Sequence, residues 1–410
     1  MIISKTNKFL YFFLSLTIFV GLYLGEDSSG SGGFIGDFKQ TLPLVKNPFQ
    51  VEMFGEGNMI DMKFPIHYYI ASIVYLLLKN DFYLRFFYST ISLICPYIFY
   101  LCLKNKYKTI DLNILYSLSL IIFIFPTFRS SAIWANTQIT AIIFFLFALY
   151  FFTKWEFKKS INLNLLLLLF FMALAVYTRQ EYSLPYLYFV FYFFKTLKFV
   201  DFIKTSLIIL VLAIPGLFLV IKYPGLIPIY LTIDLYDSFL VNTSILSLYL
   251  VPLFFIAYFQ ESEIKNSNYK HLLLPVVVSF FIVIFCSLNF NYNFIMGGGF
   301  FVKASIILFD NLYLFYFTAF LGLIFIYLLS LENKNNLVLS LILILGFSSY
   351  VVFQKYFEPM FFLLFFLVYE TKLTKNLLKK KLNIIFLQLY FVLYLCAALI
   401  NNYFLITKKL

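Results

Sequence analysis

Six acidic side chains crowd one stretch of this chain: Glu26, Asp27, Asp37, Glu52, Glu56 and Asp61 all fall within residues 26–64. They are six of nineteen acidic residues in a chain that is 62% hydrophobic and only 12% charged. A carboxylate held against a hydroxyl can take its proton during group transfer. Acidic groups gathered at a membrane surface, in a chain that otherwise avoids charge, point to chemistry more than to folding. The basic residues are equally selective. Lysine supplies nearly all the positive charge, and arginine occurs only as Arg85, Arg129 and Arg179. A planar guanidinium fork matches phosphate oxygens in a way an ammonium does not, so each arginine marks a geometric need. The residue types suggest a membrane enzyme that acts on an anionic substrate.

The elements that position these groups are helices in a bilayer. Mean hydropathy is +0.91 over 410 residues, and the apolar runs reach the length of a bilayer crossing, about 17–25 residues. The runs are continuously apolar, without the alternation of a membrane β-barrel. The 57 Phe and 33 Tyr fill lipid-facing positions and carry little functional weight. The net charge of +12 needs no nucleic-acid partner: the lysines gather in short loops, as the positive-inside rule predicts, and no basic patch interleaved with polar residues occurs. Cys95, Cys102, Cys286 and Cys396 lie in apolar runs without a CxxC spacing, which indicates neither a disulfide framework nor a zinc site. Lys5 and Lys8 precede an apolar core with no clear cleavage signal, so residues 9–25 read as an uncleaved first span.

Thirteen spans are expected, at 9–25, 82–103, 110–127, 132–153, 161–177, 183–197, 204–222, 242–260, 272–289, 307–330, 337–353, 357–370 and 382–400. Residues 65–78 are also apolar. If they lie in the interface, the lysine groups 104–108, 154–159, 195–204, 265–270 and 372–381 share a side with Lys5 and Lys8. If they cross, every group moves to the opposite side, so charge bias makes 65–78 a juxtamembrane helix. The far face then collects the acidic loop, all three arginines, Lys63, Lys303 and Lys355, together with the 223–241 loop and the 290–305 loop with its Gly297–Gly299 triplet. Cations against the positive-inside trend fit the binding of an anion such as a lipid-linked phosphate.

The order of these elements resembles the GT-C superfamily of membrane glycosyltransferases over about the first 200 residues. The resemblance rests on Gly36-Asp37-Phe38-Lys39-Gln40 after the first span, on Lys63-Phe64-Pro65-Ile66-His67-Tyr68-Tyr69, and on Arg85 near the head of the second span. It continues through Arg129-Ser130-Ser131-Ala132 and Leu174-Ala175-Val176-Tyr177-Thr178-Arg179-Gln180. The last of these, with Lys355-Tyr356-Phe357-Glu358-Pro359, is similar to dolichyl-phosphate-glucose glucosyltransferases; the earlier ones are closer to bacterial aminoarabinose and mannose transferases. One departure matters: Asn136-Thr137-Gln138 stands where many members carry a second acidic residue, which leaves a two-carboxylate or metal-bridged arrangement there without its second acid.

The resemblance implies an all-α polytopic fold, with a catalytic module at 1–200 that includes the external loop 26–81. A C-terminal module at 201–410 would form the donor-lipid groove. It implies transfer of a sugar from a polyprenyl-phosphate donor to a lipid, glycan or protein acceptor on the extracytoplasmic face, with inversion; the basic, uncleaved N-terminus fits insertion in a bacterial inner membrane, with the endoplasmic reticulum as the alternative. Asp37 would be the base, with Glu26 and Asp27 as fallbacks, while Asp37 as a helix cap is the structural alternative. Lys63, His67, Arg85, Arg129, Arg179, Gln180, Lys355 and Glu358 would bind substrate, with Arg179–Glu181 pairing as the alternative for Arg179. Glu52, Glu56 and Asp61 read as solvated charges. A Mg²⁺ or Mn²⁺ shared by Asp37 and phosphate oxygens is compatible with this chemistry. Other classes fit less well. A flippase or transporter of lipid-linked saccharides would show internal repeats and charges within its spans, and an O-antigen polymerase or ligase would place its large external loop late in the chain.

Overall fold

The computed structural model describes residues 3–29, 32–46, 63–222, 235–260, 270–292, 297–348 and 351–407. Glu52, Glu56, Asp61, Lys265 and residues 223–234 and 293–296, all singled out in the sequence, lie outside them. No strand occurs among the described residues, and the chain is helical from Lys5–Leu24 to Lys381–Thr407. Seven helices are long and apolar enough to cross a bilayer, and a bent pair makes an eighth candidate.

Thirteen crossings are therefore not shown. Each expected span coincides with a helix, but several helices are short: Leu163–Val176 and Ser183–Thr196 have 14 residues each, and Met360–Leu367 has 8. At 1.5 Å per residue, 14 residues reach about 21 Å against a hydrocarbon core of about 30 Å. Residues 65–78 fold as the 13-residue helix Ile66–Leu78, also short for a crossing. An unexpected helix, Gly299–Phe309, follows the glycine triplet.

The chain forms two compact units, Met1–Ile229 with Gln388–Leu410, and Tyr230–Leu387. In the first, Lys5–Leu24 begins at Ser4, whose hydroxyl accepts the Asn7 N–H, and stops at Gly25, whose φ of 68° suits a residue without Cβ. Asn80 and Asn162 cap the helices that follow them in the same way. Gln388 donates to the Ser117 carbonyl at 2.9 Å and so ties the C-terminal residues to this unit. The helix Phe199–Lys222 leaves Leu207, Leu210, Val211, Ile214 and Phe218 exposed. So much contiguous apolar surface on a helix of this length suits lipid.

Two prolines shape this unit. Pro126 forces Phe125 into an extended conformation and divides Leu112–Ile124 from Pro126–Ile133, which meet at 66°. The bend carries Arg129 and Ser130 to the end of the first helix. Pro215 sits inside Phe199–Lys222. Beside it, the Tyr177 hydroxyl donates to the Leu212 carbonyl and accepts the Gly216 N–H at 3.0 Å, replacing a rung of the helical ladder. Tyr177 also receives the Ile66 N–H on its own carbonyl and the edge of Phe64 on its ring. One tyrosine thus fixes the segment around Lys63 against the segment around Arg179.

Candidate functional site

The acidic residues next to the first helix are engaged in holding structure. Glu26 forms a two-pronged pair with Arg129, at 2.7 Å from Nε and 2.6 Å from Nη2. Arg129 sends its remaining N–H groups to the Thr17 hydroxyl, the Thr17 carbonyl and the Phe123 carbonyl. All five of its donors are thereby used inside the protein. Asp27 is buried, and its carboxylate accepts from the Ser29 and Gly33 N–H groups, the Ser29 and Ser130 hydroxyls, and the Phe34 N–H. It organises the turn that leads to Asp37. Gly33 is required there, because a Cβ would lie 2.0 Å from Ser130 Oγ.

Arg85 also has structural partners. Its Nε donates to the Ile133 carbonyl at 2.9 Å, and one Nη to the Leu22 carbonyl at 3.3 Å. It thus closes the C-terminal ends of two helices, where carbonyls lack helical partners. Its guanidinium lies 3.6 Å from the centre of the Trp134 ring. Trp134 in turn donates to the Glu26 carbonyl and stacks near Phe34 and Phe38. This tryptophan is what fixes the wide helical turn Gly32–Phe38 that carries Asp37.

A second group converges on the start of the helix Thr137–Trp155. Asn136, 1% exposed, is its N-cap residue, and its amide nitrogen donates to Asp37 Oδ2 at 3.3 Å. Arg179, also 1% exposed, donates to the Thr137 hydroxyl at 3.4 Å and twice to Glu181, at 2.7 Å and 3.3 Å. Lys63 approaches the same carboxylate at 3.4 Å. One turn further along, Thr140 Oγ1 is 2.8 Å from His67 Nδ1. Asp37 and Arg179 both lie close enough to act on the His67 ring electrostatically. Asp37, Lys63, His67 and Arg179 are therefore gathered in one place, with Gln180 in the adjoining turn Gln180–Tyr182. The sequence did not single out Asn136 or Glu181 as site residues. The pairing of Arg179 with Glu181 was visible as a two-residue spacing.

The turn into this helix is strained. Ala135 has a φ of 49°, a left-handed conformation disfavoured for a residue with Cβ. Ala135→Gly is expected to leave stability unchanged or raise it by up to about 1 kcal/mol, because glycine relieves the strain but frees the unfolded chain. A fall in the thermal midpoint would show that the alanine methyl contributes packing that outweighs the strain.

Burial pushes the His67 imidazole down to about 3, so the ring is neutral at pH 7. Burial also works against the Glu181 carboxylate, but Arg179 and then Lys63 outweigh it and hold the group well below the ordinary range. Both shifts act in one direction. Below about pH 6.5 an unfolded His67 binds a proton that the folded chain refuses, and below about 4.5 the same holds for Glu181. Stability is therefore complete above about pH 6.5 and is expected to fall continuously toward pH 3. His67→Gln should flatten the fall between about pH 6.5 and 5 in thermal unfolding; an unchanged slope would mean that His67 titrates normally.

Lys355 and Glu358 belong to the second unit. Glu358 is fully buried and accepts the Tyr249 hydroxyl at 3.0 Å. Gln354 donates to the same hydroxyl at 2.8 Å and accepts the Phe300 N–H at 3.2 Å, so the Gln354–Glu358 segment is tied to the helix after the glycine triplet. Lys355 lies over the Phe353 ring at 5.0 Å. No group of three His, Cys, Asp or Glu side chains able to hold a metal occurs among the described residues. A divalent ion at Asp37 would thus draw most of its ligands from substrate. No protein-family model, curated protein or solved structure matches the chain.

Proposed function

We propose that the protein is an integral membrane glycosyltransferase that moves a sugar from a polyprenyl-phosphate donor to an acceptor hydroxyl on the extracytoplasmic face. The observation that carries this reading is the meeting of Asp37 with Lys63, Glu181 and Arg179 around the start of Thr137–Trp155. A base and a cation pair are the two things such a transfer needs. Asp37 takes the acceptor proton. Lys63 and Arg179 share one carboxylate, so the trio keeps one net positive charge, at a helix N-terminus whose dipole also favours an anion. Fixed charges in a partly dehydrated site stabilise a departing phosphate more strongly than water does. Attack from the side opposite the phosphate inverts the anomeric carbon in a single displacement.

The GT-C resemblance of the first 200 residues supports the same reading. Arg85 and Arg129 fit it as parts of the frame, since their donors serve the helices around Asp37. Gln180, Lys355 and Glu358 remain candidates for contacts to the sugar or to the donor lipid. The bacterial inner membrane is the membrane this reading favours. The test is transfer from a panel of radiolabelled polyprenyl-phosphate sugars by purified protein, supplied with lipids from the native membrane. Label appearing in a new product supports the reading; no transfer from any donor, by protein shown to be folded, removes it.

A further inference from the structure

The helix Phe199–Lys222 touches the rest of its unit sparingly: of its residues only Thr205 and Gly216 are buried. Gly216 is also where its hydrogen-bond ladder is open. Pro215 has no N–H to give the Val211 carbonyl, and the next N–H, that of Gly216, goes to the Tyr177 hydroxyl at 3.0 Å. That hydroxyl donates to the Leu212 carbonyl and so stands between the two groups of one helical rung. We propose that Pro215–Gly216 is a hinge through which the bilayer acts on Lys63, with Tyr177 as the connecting residue, so that the cation cluster responds to membrane thickness. The proposal rests on the glycosyltransferase reading only for what Lys63 does once it is placed.

The hinge has two hydrogen-bonded arrangements. With the hydroxyl inserted, the Gly216 N–H and the Leu212 carbonyl are both satisfied through Tyr177. With the hydroxyl withdrawn, the same two groups stand four residues apart and close on each other as a regular rung. Two adjacent rungs depart from the ladder, one lost to proline and one to the tyrosine, and such places are where helices bend. The contact is close. A Cβ on Gly216 would lie 2.6 Å from Tyr177 Cε1, so the helix cannot move toward the ring without displacing it.

The input to the hinge is the bilayer. The uncharged stretch 205–221, between Lys204 and Lys222, reaches about 26 Å at 1.5 Å per residue, against a hydrocarbon core of about 30 Å. A helix with no slack stands straight in a thicker bilayer and bends or tilts in a thinner one. Straightening closes the rung and expels the hydroxyl. The output lies at the other end of Tyr177. Its carbonyl accepts the Ile66 N–H at 3.4 Å, and Phe64 meets its ring edge-on at 5.6 Å between centroids. Lys63, next to Phe64, approaches Glu181 at 3.4 Å. Moving Tyr177 therefore shifts Lys63 relative to the carboxylate that it shares with Arg179.

Ile66 reports on this connection. As the first residue of Ile66–Leu78 it has no helical acceptor, so the protection of its N–H depends on the Tyr177 carbonyl. Hydrogen exchange at Ile66 is compared for wild type, Tyr177→Phe and Gly216→Ala in nanodiscs of dimyristoyl and of dierucoyl phosphatidylcholine. Tyr177→Phe removes the hydroxyl and keeps the ring and the carbonyl; Gly216→Ala displaces the ring from the helix side. In wild type, exchange is expected to be about tenfold faster in the thicker, dierucoyl bilayer, within the usual range of coupling between sites. Each variant is expected to exchange at one rate in both bilayers. A wild-type rate that ignores thickness would overturn the proposal. A thickness dependence that survives in either variant would overturn it too, since the connection would then bypass the hydroxyl. Sugar transfer together with a thickness-independent Ile66 would remove the hinge and leave the enzyme reading. A thickness-dependent Ile66, lost in both variants, with no transfer from any donor, would remove the enzyme reading and leave the hinge.

Discussion

Arg129→Met is expected to destabilise the protein by about 3–5 kcal/mol, the usual cost of stranding one partner of a buried ion pair. The two side chains are 5% and 12% exposed, too dry for water to replace the lost partner. Glu26 has little room to turn elsewhere, since a Cβ on Gly21 would already lie 2.4 Å from its Oε2. The substitution also releases Thr17 and the Phe123 carbonyl, and so loosens the first helix from the bend at Pro126. A second substitution, Glu26→Gln with Arg129→Met, should recover much of the loss, because no uncompensated charge is then buried. Thermal and denaturant unfolding of the single and double variants measures both effects. A single-variant cost below about 1 kcal/mol, the range of exposed pairs, would show that the pair is hydrated and that Arg129 is available to a ligand after all.

Asp37→Asn is expected to reduce sugar transfer by about 10²–10⁴-fold, the usual contribution of a positioned base. Donor binding and the melting temperature should change little. The turn that carries Asp37 is held by Asp27 and Trp134, so the loss of one charge at Asp37 leaves its frame standing. Asp27→Asn should behave in the opposite way. Its carboxylate accepts five hydrogen bonds, and an amide cannot accept from donors at both of its ends, so stability falls first and activity falls with it. The two variants measured side by side separate a base from a structural carboxylate. Transfer at more than about a tenth of the wild-type rate in Asp37→Asn would move the base to another carboxylate, with Glu181 next in line because it lies in the same cluster.

How far the sequence reaches can be judged residue by residue. Apolar runs and lysine placement determine a helical membrane protein, because hydrophobic length and charge bias act locally and need no partner. Caps such as Ser4, Asn80 and Asn162, and the break at Pro126, follow from local backbone chemistry. The number of crossings does not follow. A 14-residue apolar helix and a 20-residue one look alike in hydropathy, and only the placement of their ends separates them.

The candidate site divides along the same line. Residue type marked Asp37, Lys63, His67 and Arg179 as chemically able, and the structure gathers them at one helix start. Residue type marked Arg85, Arg129 and Asp27 just as strongly, and the structure spends their hydrogen bonds on helix ends and on the turn before Asp37. Nothing local distinguishes the two sets, because an arginine's role depends on which carbonyls and carboxylates the fold brings to its five donors. Asn136 registered in the sequence only as an amide where the resemblance expects an acid, and its contact with Asp37 exists only in the fold. The sequence by itself thus determined the class of protein and the inventory of chemical groups, since both depend on composition and near neighbours. The tertiary structure decided which groups are brought together and which are tied to helix ends and turns, since hydrogen-bond partners come from residues as much as a hundred positions apart.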